Sequence, residues 1–168
     1  MAMALDVMAG LQVPPGQLAD LARRDTAGRL GFADKQAGRQ ALAAALDELD
    51  GLHSRLWAEA QRSVLLVLQG MDTAGKDGVV RRVLTGLNPQ GCSVVSFKPP
   101  TTLELEHDYL WRVHAACPSR GQLGVFNRSH YEDVIAARVL GIVDEARCSR
   151  RYRHLRDFEQ MPTKARRL

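Results

Sequence analysis

Gly70-Met71-Asp72-Thr73-Ala74-Gly75-Lys76-Asp77-Gly78 carries the pattern Gly-x4-Gly-Lys. Glycines at these positions let the backbone fold tightly enough for its N–H groups to converge on phosphate oxygens. A helix starting at the lysine adds the positive end of its dipole, and Lys76 adds a mobile point charge. The residues predicted to touch phosphate are therefore Gly70, Met71, Thr73, Ala74, Gly75, Lys76, Asp77 and Gly78; a structural turn is the alternative. Asp77 stands where a hydroxyl residue commonly follows the lysine to reach Mg2+. Asp72 lies inside the loop, where a carboxylate opposes phosphate unless a cation stands between them. Two carboxylates point to an altered metal arrangement, with Mg2+ held partly by Asp72. Asp77 reads equally well as an acidic residue favoured by the dipole of the first helical turn.

A second chemical segment is Phe126-Asn127-Arg128-Ser129-His130-Tyr131-Glu132. It follows a predicted strand, and in open α/β sheets ligands bind beyond the carboxyl ends of the strands, so it is expected to face the phosphate loop. Arg128 can clamp a phosphate with its planar fork, and Glu132 can pair with Arg128 or hold a metal-bound water. Lys98 and Arg112 are further candidates for a phosphate channel, against the commoner fate of a solvated surface charge. His107 and His130 are expected to pack or cap, and Tyr109 and Trp111 to lie in the core.

These residues need elements to position them. Ser63 to Gln69 is a short apolar run suited to a strand buried on both faces. Val79, Val80, Val83, Leu84 and Leu87 predict a helix after the loop. Ser93–Phe97 and Leu123–Phe126 read as further strands. Helices are predicted from Asp34 to about Ala60, from Leu103 to Ala116 with Thr101 or Thr102 as cap, from Ser129 to Leu140, and from Arg147 to Gln160 until Pro162 stops the last. The stripe Leu42, Leu46, Leu49, Leu52 and Leu56 amphipathically patterns the first of these, with Trp57 as its expected anchor. Strands alternating with helices imply an α/β fold with a parallel sheet.

The 168 residues, 45% hydrophobic and 25% charged, suit one folded domain and exclude a disordered or disulfide-knit chain. Residues 1–143 carry 15 basic and 15 acidic side chains, whereas the last 25 carry 8 Lys/Arg against 4 acids. A chain-wide basic face for nucleic acid is thereby disfavoured, and any polyanion site must be made by local charge. Cys92, Cys117 and Cys148 lack metal-ligand spacing and read as reduced thiols. No apolar run reaches the ~18 residues needed to span a bilayer. The start contains Asp6 and lacks a basic segment, so neither a membrane partner nor a signal peptide is expected, and the implied compartment is the cytoplasm.

The phosphate loop, together with Asn88-Pro89-Gln90-Gly91, Phe97-Lys98-Pro99-Pro100-Thr101, His107-Asp108-Tyr109-Leu110-Trp111-Arg112 and Phe126 through Val134, closely resembles the polyphosphate kinase 2 family in order and spacing. The likeness covers about residues 10–160. It implies a P-loop kinase-like parallel sheet sandwiched by helices, and phosphoryl transfer with Mg2+ between inorganic polyphosphate and an adenine nucleotide, AMP or ADP to ADP or ATP. It also implies Asp72, Lys76, Arg128 and Glu132 as working residues, and Asp72 with Asn127 as the metal side. The Asn form at position 127 resembles the branch that phosphorylates AMP or ADP.

The resemblance stops near residue 160, where family members run into a further strand and a helical lid. The expected organisation is an irregular segment over 1–33, a partial kinase domain over 34–160 and an atypical tail over 161–168, the chain looking truncated. Without the missing strands Val64 to Leu68 would present an apolar edge, and without the lid the site would not exclude water. Little activity is then expected from the chain alone, unless a homo-oligomer or a complementing chain completes it. An inactive phosphate- or nucleotide-binding fragment and an ATP-dependent small-molecule kinase are the alternative readings.

Overall fold

Strands β1 (Val64–Leu68), β2 (Cys92–Ser96) and β3 (Leu123–Asn127) pair in parallel in the order β1-β3-β2 in this computed structural model. The structure describes Val7 and residues 10–164. The basic residues Arg166 and Arg167 of the expected tail lie outside them. Two units divide the chain, Met1–Glu48 and Leu49–Leu168, with the boundary inside the long helix α1 (Lys35–Glu59). In the first unit Arg24 donates to the carbonyls of Gly10, Leu11 and Gln12, and Asp34 caps α1 by accepting from the Ala37 N–H at 2.8 Å.

The second unit holds the sheet. Its helices are α2 (Lys76–Val83), α3 (Thr102–Leu105), α4 (Trp111–Ala116), α5 (Ile135–Val139) and α6 (Glu145–Lys164), with 3-10 turns at Pro89–Gly91 and His130–Asp133. Alternation along β3 sends its side chains into two layers. Leu123 and Val125 pack with Leu87, Leu49, Val80 and Leu84, whereas Phe126 packs with Phe97, Val113 and Phe158. A third cluster joins Val134, Ala137 and Val143 to Cys148 and Leu155 of α6. Among the described residues no helix is long and apolar enough to cross a membrane.

Several expectations are corrected. β3, not β1, is the strand buried on both faces. The edge expected for Val64 to Leu68 is found among the described residues, with Val64 48% exposed. The predicted 103–116 helix is broken, because the Asp108 carboxylate accepts from the Leu110 N–H at 2.9 Å and closes a turn that competes with the helix. Thr101 is the cap of α3, in a reciprocal capping box with Glu104. The 129–140 segment opens as a 3-10 turn under a Ser129 cap before α5 begins. Helix α6 does not stop at Pro162 but runs to Lys164. In α1 the buried residue is His53, whose Nε2 lies 3.1 Å from the Gly91 carbonyl; Leu42, Leu52 and Trp57 are exposed. Trp111 is 40% exposed and stacks on His107 rather than entering the core.

The centre of the sheet leaves no room at Gly124, where a Cβ would come within 2.8 Å of the Pro118 ring. Gly124→Ala should therefore destabilise the second unit by about 1–3 kcal/mol through overpacking, measured as a lowered midpoint in urea with an unchanged slope.

Candidate active site

The shared register sets the site. Leu68 of β1 and Ser96 of β2 both stand beside Asn127 of β3, so the three strands end at one level. The last rung is the Arg128 N–H donating to the Leu68 carbonyl at 3.0 Å. Beyond it β1 becomes the phosphate loop and β3 becomes the Arg128 segment, side by side.

Within the loop Ala74 N–H closes a turn on the Met71 carbonyl at 3.2 Å, and Gly75 takes φ +89° immediately before α2. Only glycine adopts that angle without steric cost, which is why the second glycine of the pattern is required. Lys76, the first residue of α2, folds back so that Nζ donates to the Gly70 and Met71 carbonyls, each at 2.8 Å. One of its three donors remains for a ligand. Two residues here that are not glycine also lie in the left-handed region, Thr73 at φ +68° and Arg128 at φ +64°. Each such residue costs on the order of 1–3 kcal/mol, a strain that surrounding contacts must hold.

Asp72, Thr73, Gly75, Lys76, Asp77, Lys98, Asn127 and Arg128 come together as walls of one cleft of about 450 Å3, with Ser96, Phe97 and Pro99 completing it. The cation that stands against the loop carboxylate Asp72 is the Arg128 guanidinium. Both side chains are substantially exposed, so the pair is weak and exchangeable. A phosphate group can offer a guanidinium a pair of acceptor oxygens in place of such a carboxylate. Across the cleft Asn127 Nδ2 donates to Asp77 Oδ1 at 2.5 Å, placing Asn127 beside Asp77 rather than Asp72. Gly70, Met71 and Ala74 belong to the loop and Gly78 to the first turn of α2, none of them walling the cleft.

Two predicted site residues stand elsewhere. Glu132 neither walls the cleft nor pairs with Arg128; its carboxylate accepts from Gln69 Nε2 at 2.8 Å. Arg112 does not wall the cleft. Its guanidinium, 10% exposed, donates to the Lys98 carbonyl at 2.8 Å and pairs with Asp133 at 3.5 Å and Glu104 at 3.7 Å. It also lies 5.3 Å from the centre of the Phe97 ring. Arg112 thus holds the backbone of Lys98, and Lys98 reaches the cleft. The Thr101 N–H, with Arg112 as a weaker contributor, holds the Glu104 carboxyl below its usual range, and burial pushes Asp133 above it despite Arg112 and Arg151. His130 is fully buried, as expected for a packing residue, against Phe126 and Phe158. Sequence reasoning missed Gln69, Ser129 and Asp133, polar residues at element ends whose partners lie 21 to 63 positions away in the chain and adjacent in space.

A parallel α/β sheet whose first strand ends in a Gly-x4-Gly-Lys loop, faced by an arginine from the neighbouring strand, defines a phosphate-binding-loop protein. More narrowly, the chain belongs to the polyphosphate kinase 2 (PPK2) family, whose pattern matches residues 32–167. It is 52% identical over 127 residues to an AMP/ADP-polyphosphate phosphotransferase of Meiothermus ruber, covering 76% of this chain and 48% of that protein. It is 40% identical over 161 residues to an ADP-polyphosphate phosphotransferase of Rhodopseudomonas palustris, covering 89% of this chain and 56% of the relative. The crystal structure of polyphosphate kinase 2 from Arthrobacter aurescens superposes with a TM-score of 0.87 at 40% identity, over 95% of this chain and 57% of that one. The chain spans about half the length of these relatives.

Because Arg112 neutralises two carboxylates of limited exposure, Arg112→Met should cost about 2 kcal/mol at pH 7, short of the full penalty for breaking a deeply buried pair. The loss should shrink on acidification. The folded Asp133 carboxyl titrates above its unfolded value, and further above it without Arg112, so its protonated form favours the folded chain. That contribution is complete below the unfolded value and disappears as pH rises through the folded one. Urea melts of both proteins between pH 7 and pH 4 test this; a deficit that stays constant or widens would contradict it.

Proposed function

We propose that this cleft binds the phosphate chain of inorganic polyphosphate against an adenine nucleotide, AMP or ADP, and that the protein transfers a phosphoryl group between them. The observation that carries the reading is the convergence of Lys76, Arg128 and Lys98 on one cleft at the mouth of a phosphate loop. The names of the relatives, which specify AMP or ADP and polyphosphate, support it. Phosphoryl transfer asks little covalent chemistry of the protein and much positioned charge. The loop amides and Lys76 would hold one phosphoryl group, and Arg128 and Lys98 its neighbour along the chain. Release of Arg128 from Asp72 would accompany binding, so that the cation bridges two phosphates and the carboxylate is freed.

The freed carboxylate bears on the metal. Asp72, Asp77 and the Asn127 amide offer hard oxygen atoms in the same cleft, a donor set that fits Mg2+. Among the described residues no three His, Cys, Asp or Glu side chains converge as a metal cage. That suits an ion held by one or two carboxylates with substrate phosphates supplying further ligands. When bound, such an ion would neutralise charge developing on the phosphoryl oxygens. Asp72 is the better placed of the two to serve both states, pairing with Arg128 in one and with the ion in the other.

The test is formation of ADP or ATP from polyphosphate with AMP or ADP, with ATP as an alternative donor and polyphosphate binding followed by calorimetry. Polyphosphate should act as donor and ATP should not replace it. Lys76→Ala should lower both binding and turnover by about 100-fold or more. Binding without turnover would assign the chain a phosphate-binding role alone, and transfer from ATP to a small molecule would assign a different kinase. Undiminished binding by the Lys76 variant would remove the loop from the mechanism.

A further inference from the structure

We propose that Gln69 is a positioning residue for Arg128 and that Glu132 acts only as its hydrogen-bond acceptor, an inference that rests on the functional reading above. Gln69 is the residue between the end of β1 and the phosphate loop. Its side chain bridges to the segment after β3, the Oε1 accepting from Ser129 Oγ at 2.9 Å and the Nε2 donating to Glu132 Oε1 at 2.8 Å. Ser129 is fully buried, and its Oγ in turn accepts from the Tyr131 N–H at 3.2 Å. The Ser129 hydroxyl thus donates to Gln69 while accepting from the backbone of its own turn. An ionised carboxylate only accepts, so Glu132 fixes which end of the Gln69 amide faces it. Turning the amide over would set its oxygen against the Glu132 carboxylate, so no second amide orientation satisfies both partners.

Arg128 lies inside this bridge. It is flanked by the rung to Leu68 on one side and by Ser129 on the other, and its backbone is held left-handed at φ +64°. Relaxation of that angle would swing the guanidinium away from Asp72 and the loop. The rung fixes the residue's N–H, and the Gln69–Ser129 bond fixes the residue that follows. Together they leave the strained angle no route to relax. The same bridge accounts for Glu132, which stands outside the cleft walls with its carboxylate occupied by Gln69.

An exchange of the two side chains tests this. Gln69→Glu sets two carboxylates against each other and should lower kcat about tenfold or more at pH 8, with KM for the nucleotide changed far less. Adding Glu132→Gln restores one donor and one acceptor in reversed order, with residue 69 still able to accept from Ser129. The double variant should return to within about threefold of the parent. If Glu132 bore a proton or a metal-bound water in the reaction, the double variant would stay as slow as Glu132→Gln alone, and the proposal would fail. The Arg128 Nε–H resonance of the substrate-free protein supplies a readout independent of turnover: it should shift in Gln69→Glu and return in the exchanged pair. An unmoved resonance in a folded Gln69→Glu protein overturns the positioning role even if no polyphosphate activity is found. Failure of the parent to bind polyphosphate overturns only the functional reading. Should Gln69→Glu not fold, Gln69→Leu, which removes the bridge without adding charge, carries the same expectations for the resonance and for kcat.

Discussion

Parallel pairing of β1 with β3 is the constraint on which the site rests. The ladder runs from Val64 opposite Leu123 to Leu68 opposite Asn127 and closes with the Arg128 N–H on the Leu68 carbonyl. Everything chemical lies immediately past that closing rung on both chains: the phosphate loop after Leu68, and Arg128 after Asn127. A slip of one residue would turn Phe126 out of its cluster with Phe97 and Phe158, and would move Arg128 away from Asp72. The burial of β3 on both faces is therefore what resists displacement of these groups. The core does not merely support the site but sets its spacing.

Charge is arranged in two ways within a body whose first 143 residues balance. Arg112 is enclosed, its guanidinium shared among Glu104, Asp133 and the Lys98 carbonyl. Such a cation is already committed to protein partners, and removing it from them would leave partly buried carboxylates uncompensated. Arg128 and Lys76 differ. Arg128 pairs with a single exposed carboxylate, and Lys76 rests on two loop carbonyls in a cleft open to solvent. Those contacts are weak enough for a phosphate to replace. Exposure rather than residue type separates the two roles, and a near-neutral body can thus carry a local cluster of accessible positive charge.

The contacts beyond the cleft extend the same logic outward. Arg112 ties the Lys98 loop to α3 through Glu104 and to the 130–133 turn through Asp133. That turn is tied to α6, where Glu159 accepts from the Tyr131 hydroxyl at 2.7 Å and Arg151 reaches the Asp133 carbonyl. Burial, and then the bond to Glu159, push the Tyr131 hydroxyl up to about 12, so it remains a donor throughout the physiological range. The cleft wall formed by Lys98 and the Arg128 segment accordingly share one framework with the basic C-terminal helix, although most arginines of that helix face solvent.

The phosphate loop, the three strands and the alternating helices were legible in the amino-acid sequence because each depends on local chemistry. Glycine spacing, β-branched runs and helical periodicity are properties of neighbours in the chain. The fold carries Lys76, Asp77, Lys98, Asn127 and Arg128, each singled out from local signals, to one cleft. What the sequence could not show was how polar side chains divide among partners. Glu132 faces Gln69 rather than Arg128, Arg128 faces Asp72, and Arg112 lies under the Lys98 loop rather than in the cleft wall. Hydrogen bonds and ion pairs act over about 3–4 Å in space, whereas the residues that make them lie tens of positions apart in the chain. Only the register of β1 on β3 decides which of them meet.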